Sequence, residues 1–159
     1  MRHERVVPTL VRRMVSKRQL MEAWVRGQRA GTIAVVKQDG VLMEARLAES
    51  WSAMRDAAAV DGVRLVPTSG FRTMEEQQRL WAEHQAGTRK TPVARPGFSN
   101  HQNGLALDIA VHDTTTSAEY RWLAARAVTF VFRNVGAGFR RPEWWHWEWA
   151  GSAAAGPTA

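Results

Sequence analysis

The chain has 159 residues, 45% of them hydrophobic, and a formal net charge of +7, which fits one globular domain large enough to bury a core. No apolar run approaches the roughly 18 residues of a membrane-spanning helix, so no membrane span is expected. The absence of cysteine excludes a disulfide framework and a thiolate metal site, leaving histidine and carboxylate as the only ligands for any metal.

The charge is concentrated at one end. Residues 1–31 hold Arg2, Arg5, Arg12, Arg13, Lys17, Arg18, Arg26 and Arg29 against Glu4 and Glu22, a net +6, and the remainder is nearly neutral. Such an arm suits nucleic acid, anionic lipid or an acidic wall polymer, or is the solvated face of a helix. A nucleic-acid surface would interleave aromatics with the basic residues, and this segment contains only Trp24, so no nucleic acid is expected as partner. Charges interrupt the first twenty residues throughout, so no cleaved secretion signal is expected.

In chain order, TLVRRMVSKRQLMEAWVRGQRAG places Leu10, Met14, Met21, Trp24 and Val25 near helical spacing, with Gly27 or Gly31 as its end. This predicts a basic helical arm over residues 1–31. TIAVVKQDGVLMEARL reads as two strands around Asp39-Gly40, a hairpin. AESWSAMRDAAAVDG predicts a helix stopped by Asp61-Gly62, and VRLVPTSGFR a strand running into a turn. TMEEQQRLWAEHQAG predicts a helix with Thr73 as N-cap and Glu76 completing a capping box. A loop rich in Pro, Gly and basic residues covers 88–98. Then come the strand GLALDIAV, a helix near 117–133 and a last strand across EWWHWEW. The expected organisation is an arm over 1–31, a body over 32–150 and a disordered tail over 151–159. Strands and helices without βαβ alternation make the fold class α+β.

Within GLALDIAV the side chains alternate. Leu105, Leu107, Ile109 and Val111 face one way, and Gly104, Ala106, Asp108 and Ala110 the other. Asp108 thus shares its face with small residues, which leaves room for a group beside a carboxylate that burial would otherwise penalise. His101 precedes the strand, and Asn103-Gly104 can turn its imidazole back over that face, so that two ligands reach one ion. A catalytic zinc site needs three protein ligands and one open position. His112 lies about 13 Å from Asp108 along a strand. His84 falls on an exposed-looking helix side and His3 in the arm, which leaves His146, with Glu143 just upstream. Taken alone, a histidine among tryptophans is more often a satisfied core residue. Glu143 and His146 differ by an odd number, so Glu143 must belong to the loop entering after Pro142 if both reach one site.

The ordered motifs SGFR (69–72), SNHQNGLALD (99–108) and EWWH (143–146) resemble those of the VanY-type D-alanyl-D-alanine carboxypeptidases. These belong to the LAS zinc peptidases that cut peptidoglycan peptides. The family pattern S-G-x-R, S-x-H-x-x-G-x-A-x-D, E-x-W-H is matched at every fixed position, and the resemblance covers about residues 45–150. It implies one Zn2+ per chain held by His101, Asp108 and His146 at about 2.0–2.2 Å. It also implies Glu143 as general base and Arg72 as a substrate and oxyanion contact, with Gln77 and Ser99 as further substrate contacts. The implied fold is a small, mainly antiparallel sheet covered by helices, LAS-peptidase-like, of the hedgehog/D,D-peptidase type.

Two neutral imidazoles and one carboxylate leave the metal centre at +1, enough to polarise a carbonyl and activate water. Period-two packing puts Trp145, Trp147 and Trp149 on the core face of the last strand. Trp144, His146 and Glu148 take the other face, which makes Trp144 a candidate wall of the substrate cleft. The function expected is a zinc D-alanyl-D-alanine carboxypeptidase acting on peptidoglycan stem peptides. A peptidoglycan endopeptidase of phage-type or secreted-effector kind is the alternative. A non-catalytic wall-binding module has no need of the intact Glu143 and Arg72. The expected place of action is the cell wall, reached from the cytoplasm by a non-classical route, with the basic arm docking on a carrier or on a secretion or tail component.

Overall fold

A computed structural model describes residues 17–112 and 114–151. The first sheet is a meander of β1 (Gln19–Val25), β2 (Gln28–Gln38) and β3 (Val41–Glu44), antiparallel throughout. Its second turn is the Asp39-Gly40 pair read from the sequence, with φ of 47° and 88°. Two consecutive positive φ values match the right-handed twist of the flanking strands.

The helix expected over the basic arm is replaced, in its described part, by a hairpin. Arg26 and Gly27, at φ 51° and 80°, turn β1 back onto β2. Of the apolar residues that suggested helical spacing, Met21 and Val25 also fit a period of two, and the strand directs Met21, together with Ala23, inward against Ile33, Val35 and Phe71. Pairing with β2 decides between the two readings, as tertiary context does when local preference is weak. The expected boundary at 31/32 therefore falls inside β2. Residues 1–16 of the arm, and the tail over 152–159, lie outside the described residues.

Helix α1 (Ala45–Val60) starts at Glu44, whose carboxylate accepts from the Arg46 and Leu47 amides at 2.8 and 2.9 Å. It buries Leu47, Ala48, Trp51, Met54 and Ala58 and ends at Asp61-Gly62, as expected. Helix α2 (Met74–Gln85) is capped by Thr73, whose hydroxyl accepts from the Glu76 amide. The Glu76 carboxylate pairs with Arg79, so only half of the capping box forms. Helix α3 (Ala118–Arg126) is shorter than the sequence suggested. A 3-10 turn over Ala127–Phe130 and a left-handed Val131 (φ 66°) redirect the chain into β6 (Phe132–Arg133), burying Phe132 beside Trp149.

The second sheet, again antiparallel, has the order β4-β5-β7-β6, with β4 at Pro67–Ser69, β5 at Ala106–Ile109 and β7 at His146–Trp149. One face packs Leu107, Ile109, Trp147 and Trp149 onto Trp51, Leu123 and Phe132 to form the main core. Its register sets Asp108 opposite both Ser69 and His146. Three separated motifs thereby meet at one end of the sheet.

Two seams join the sheets. The Phe71 amide donates to the Leu42 carbonyl at 2.6 Å, and a Cβ at Gly70 would lie 2.1 Å from that oxygen, so the SGFR glycine is required by close approach. At the hairpin, the Trp24 and Gly27 amides donate to the Gln102 and Gly97 carbonyls at 3.1 and 2.9 Å. Among the described residues no helix is long and apolar enough to cross a membrane.

Two predictions follow from these contacts. Deleting residues 1–31 removes β1 and the start of β2, and the truncated protein is expected to lose its cooperative thermal transition by circular dichroism. A melting curve like that of the intact chain would mean that the hairpin is dispensable. The second concerns Asp39, whose carboxylate accepts from Trp51 Nε1 at 2.7 Å and from Arg55 Nη1 at 2.7 and 2.9 Å. Partial burial raises its pKa, but these donors outweigh burial and leave it lowered. A lowered pKa contributes stability above the ordinary carboxylate range and loses it as pH falls through the folded value. Asp39→Asn keeps the left-handed turn and should cost about 1 kcal/mol at neutral pH. In denaturant melts, the difference between the two proteins should shrink as pH falls below about 4.

Candidate metal centre

Asp108 is 7% exposed in the middle of the second sheet, with His101 and His146 buried around it. His101 Nε2 lies 3.2 Å, and His146 Nδ1 3.0 Å, from the same carboxylate oxygen, Oδ1. Ligand atoms of all three residues fall within 4.8 Å of one another. These are the donors and the number that a tetrahedral divalent metal with one open position requires.

Each ring is held from its far side. His101 Nδ1 is 2.7 Å from the Gly70 carbonyl, which can only accept, so Nδ1 carries the proton and Nε2 is free to coordinate. His146 Nε2 lies 3.2 Å from Glu148 Oε1, which leaves Nδ1 facing inward. Asn100 Nδ2 donates to the same Glu148 oxygen at 2.7 Å. The carboxylates of Asp108 and Glu148 favour positive charge at the cluster, in the form of a proton on His146 that a metal would displace. Burial opposes charge on His146, but hydrogen bonds to Asp108 and Glu148 raise its pKa to about 9. Burial likewise opposes the Asp108 charge, and the two histidines outweigh it and hold the carboxyl ionised. His101 is shifted down by burial toward the neutral imidazole that a metal needs.

The ligands open into a cleft of about 500 Å³ whose lining includes Arg72, Arg89, Phe98, Ser99, Phe139, Glu143 and Trp145. Glu143 stands in the turn before β7, as the odd spacing to His146 required. Its amide donates to the Gly136 carbonyl at 2.9 Å, and its own carbonyl accepts from the His146 amide at 3.0 Å. A Cβ at Gly136 would sit 2.2 Å from the Glu143 carbonyl oxygen and 2.7 Å from His146 Cβ, so a glycine is needed beneath this turn. Burial, and to a lesser extent the Asp108 charge, raises the pKa of the Glu143 carboxyl against the opposing effect of His146 and Arg72. Arg72 Nε and Nη2 donate to Ser69 Oγ at 3.2 and 3.1 Å, and Nη2 reaches Asp108 Oδ2 at 3.4 Å. Burial lowers the Arg72 pKa, and Asp108 works against that shift.

The structure brings His101, Asp108, His146, Glu143, Arg72 and Ser99 together in this cleft. Gln77, expected as a substrate contact, is fully buried outside the lining. Its Nε2 donates to the Ala94 carbonyl at 2.8 Å and its Oε1 accepts from Arg72 at 3.4 Å, so it fastens the 88–98 loop and steadies the arginine. Trp144, expected as the cleft wall, instead packs edge-on against Tyr120, and Trp145 lines the cleft. Regular pairing begins only at His146, so strand alternation does not apply to residues 144 and 145. Trp147 and Trp149 are core, as expected. His84 and His112 are absent from the cluster, and His3 lies outside the described residues. Glu148 was not expected to orient a ligand, although period-two spacing already put it on the face of His146. Gly70 stood in the SGFR motif with no role assigned, and Asn100 and Arg89 carried no separate signal.

Comparison with known proteins agrees with this arrangement. Residues 40–152 match the VanY family model, described as D-alanyl-D-alanine carboxypeptidase. A D-alanyl-D-alanine carboxypeptidase of Enterococcus faecalis (strain ATCC 700802 / V583) is 33% identical over 141 residues, 74% of this chain and 52% of that protein. The chain thus spans about half the length of this relative. The solved structure of VanYB in complex with D-alanine-D-alanine superposes with a TM-score of 0.63 at 29% identity, covering 81% of this chain and 85% of the other. A mutant of the vancomycin-resistance D,D-pentapeptidase VanY in complex with Zn(II) gives 0.62 at 29% identity, covering 82% and 86%. With a family match over most of its length and the three motifs gathered at one sheet end, the chain belongs to the VanY D-alanyl-D-alanine carboxypeptidase family.

Proposed function

We propose that the chain is a zinc-dependent peptidoglycan peptidase that removes the terminal D-alanine from stem peptides ending in D-alanyl-D-alanine. The carrying observation is the convergence of three buried donors, a half-buried carboxylate and an arginine on one cleft. His101, Asp108 and His146 would hold Zn2+, which supplies Lewis acidity to the scissile carbonyl and the attacking water. Glu143 takes the proton from that water and delivers it to the leaving amine, a task suited to a carboxyl whose pKa is raised. Arg72, steadied by Ser69 and Gln77, offers fixed positive charge to the developing oxyanion. Glu148 and the Gly70 carbonyl hold the imidazoles in their coordinating tautomers. Peptidoglycan as substrate puts the working place at the cell wall. An endopeptidase cutting the stem or the cross-link is the second reading, favoured by an adjoining groove that shares Arg72, Arg89, Asp108 and Trp145 with the cleft.

Digesting purified muropeptides with the zinc-loaded protein and weighing the products tests this reading. Loss of one D-alanine is expected, a split stem or cross-bridge would move the assignment to endopeptidase, and no cleavage would overturn both. Glu143→Gln is expected to retain zinc and fold while losing about 10²–10⁴ in turnover, whereas His146→Ala should lose zinc as well. If Glu143→Gln also loses the metal, the division between base and ligand is wrong. Glu148→Gln should weaken zinc affinity about 10- to 100-fold in chelator competition, and unchanged affinity would remove it from the ligand-orienting role.

A further inference from the structure

Arg89 lies at the base of the 88–98 loop, where its amide donates to the Glu83 carbonyl at 3.2 Å and its carbonyl accepts from His84 Nδ1 at 3.2 Å. The backbone is therefore tied to the end of α2, while the side chain lines the metal cleft beside Arg72, Thr91, Asp108 and Trp145. The same residues border the adjoining groove of about 640 Å³, so Arg89 stands where the two spaces meet. Its Nε is buried and makes no hydrogen bond, and its guanidinium forms no ion pair with the described residues.

The nearby carboxylates are already engaged. Asp108 is bound to His101, His146 and Arg72, and Glu76 pairs with Arg79, with Arg89 acting on it only through its charge and not by contact. The charges that bear on Glu143 are those of His146, Asp108 and Arg72, with Arg89 not among them. Arg72 is itself committed to Ser69, Gln77 and Asp108. A buried donor left unmatched is costly, and a guanidinium fork matches a carboxylate in bidentate fashion.

We propose that Arg89 is the anchor for a carboxylate of the peptide substrate and so sets which peptides the cleft accepts. The inference rests on the peptidase reading above and deepens it. A stem peptide offers such groups at its C-terminus and at the acidic residue within it. Capture of the first fits removal of a terminal residue, and capture of the second leaves the chain end free to continue along the groove.

The test compares zinc-loaded wild type, Arg89→Gln and Arg89→Lys on three synthetic stem peptides: the free acid, its C-terminal amide, and a version amidated at the acidic side chain. Arg89→Gln should raise KM for the free acid about 10- to 100-fold with little change in kcat, and Arg89→Lys should recover part of the loss. The peptide whose amidation abolishes the effect of Arg89→Gln identifies the carboxylate. If Arg89→Gln acts equally on all three peptides, or on none, the anchor is overturned while the peptidase reading stands. Binding of the same peptides, followed by tryptophan fluorescence through Trp145, requires no turnover. If no peptide is cleaved, binding that depends on both Arg89 and a free carboxylate upholds the anchor while the proposed reaction falls. Binding indifferent to Arg89 overturns the anchor.

Discussion

A carboxylate in the centre of an apolar sheet governs the architecture around it. Asp108 sits between Leu107 and Ile109, both fully buried in the main core, and is itself 7% exposed. An ion there loses most of its hydration, a cost of several kcal/mol unless other charges and donors replace the water. The replacements arrive from three directions: His101 from the preceding turn, His146 from the strand paired on one side, and Arg72 from beyond the strand paired on the other. Antiparallel pairing of short strands sets all three at one level. A slip of one residue in β7 would turn His146 to the opposite face and leave Asp108 without its nearest partner.

Around this ion, rigidity comes from parts with no direct contact to the reaction. The Gly70 carbonyl fixes one imidazole and Glu148 the other, with Asn100 holding Glu148 in turn. Gly70 is pressed against Leu42 of the first sheet, and Gly136 lies beneath the turn that carries Glu143. Both glycines mark places where backbone passes too close for any side chain. Gln77 does for Arg72 what Glu148 does for His146, since it is buried and bonded both to the arginine and to the loop above it.

The chemistry was legible in the sequence because it depends on residue type at fixed spacing. Asp108 inside GLALDIAV was anomalous by itself, and the ordered SGFR, SNHQNGLALD and EWWH motifs supplied its partners. The hairpin at Asp39-Gly40 and the Asp61-Gly62 stop of α1 were also local, set by turn residues, whereas α1 starts at Ala45, inside the segment that read as a strand. What misled was information held by distant pairing. Met21 and Val25 fit either period, and only β2 alongside makes the segment a strand. Trp144 and Trp145 could not be assigned to faces without knowing where β7 begins. Gln77 was expected as a substrate contact from the motif resemblance alone, which does not tell a side chain aimed into a cleft from one aimed at the loop that walls it.

The seam between the β1–β2 turn and the 97–102 loop has a thermodynamic consequence. The Trp24 and Gly27 amides bond to the loop that bears Phe98, Ser99 and His101, and the Phe98 ring lies directly over Gly27. Opening the hairpin therefore removes supports from the metal-binding turn, and ordering that turn favours the paired hairpin. By linkage, whatever occupies the ligand cluster tightens the first described strands of the chain by the same free energy that those strands lend to its binding. The hairpin and the cluster thus form one cooperative unit, although more than sixty residues separate them along the chain.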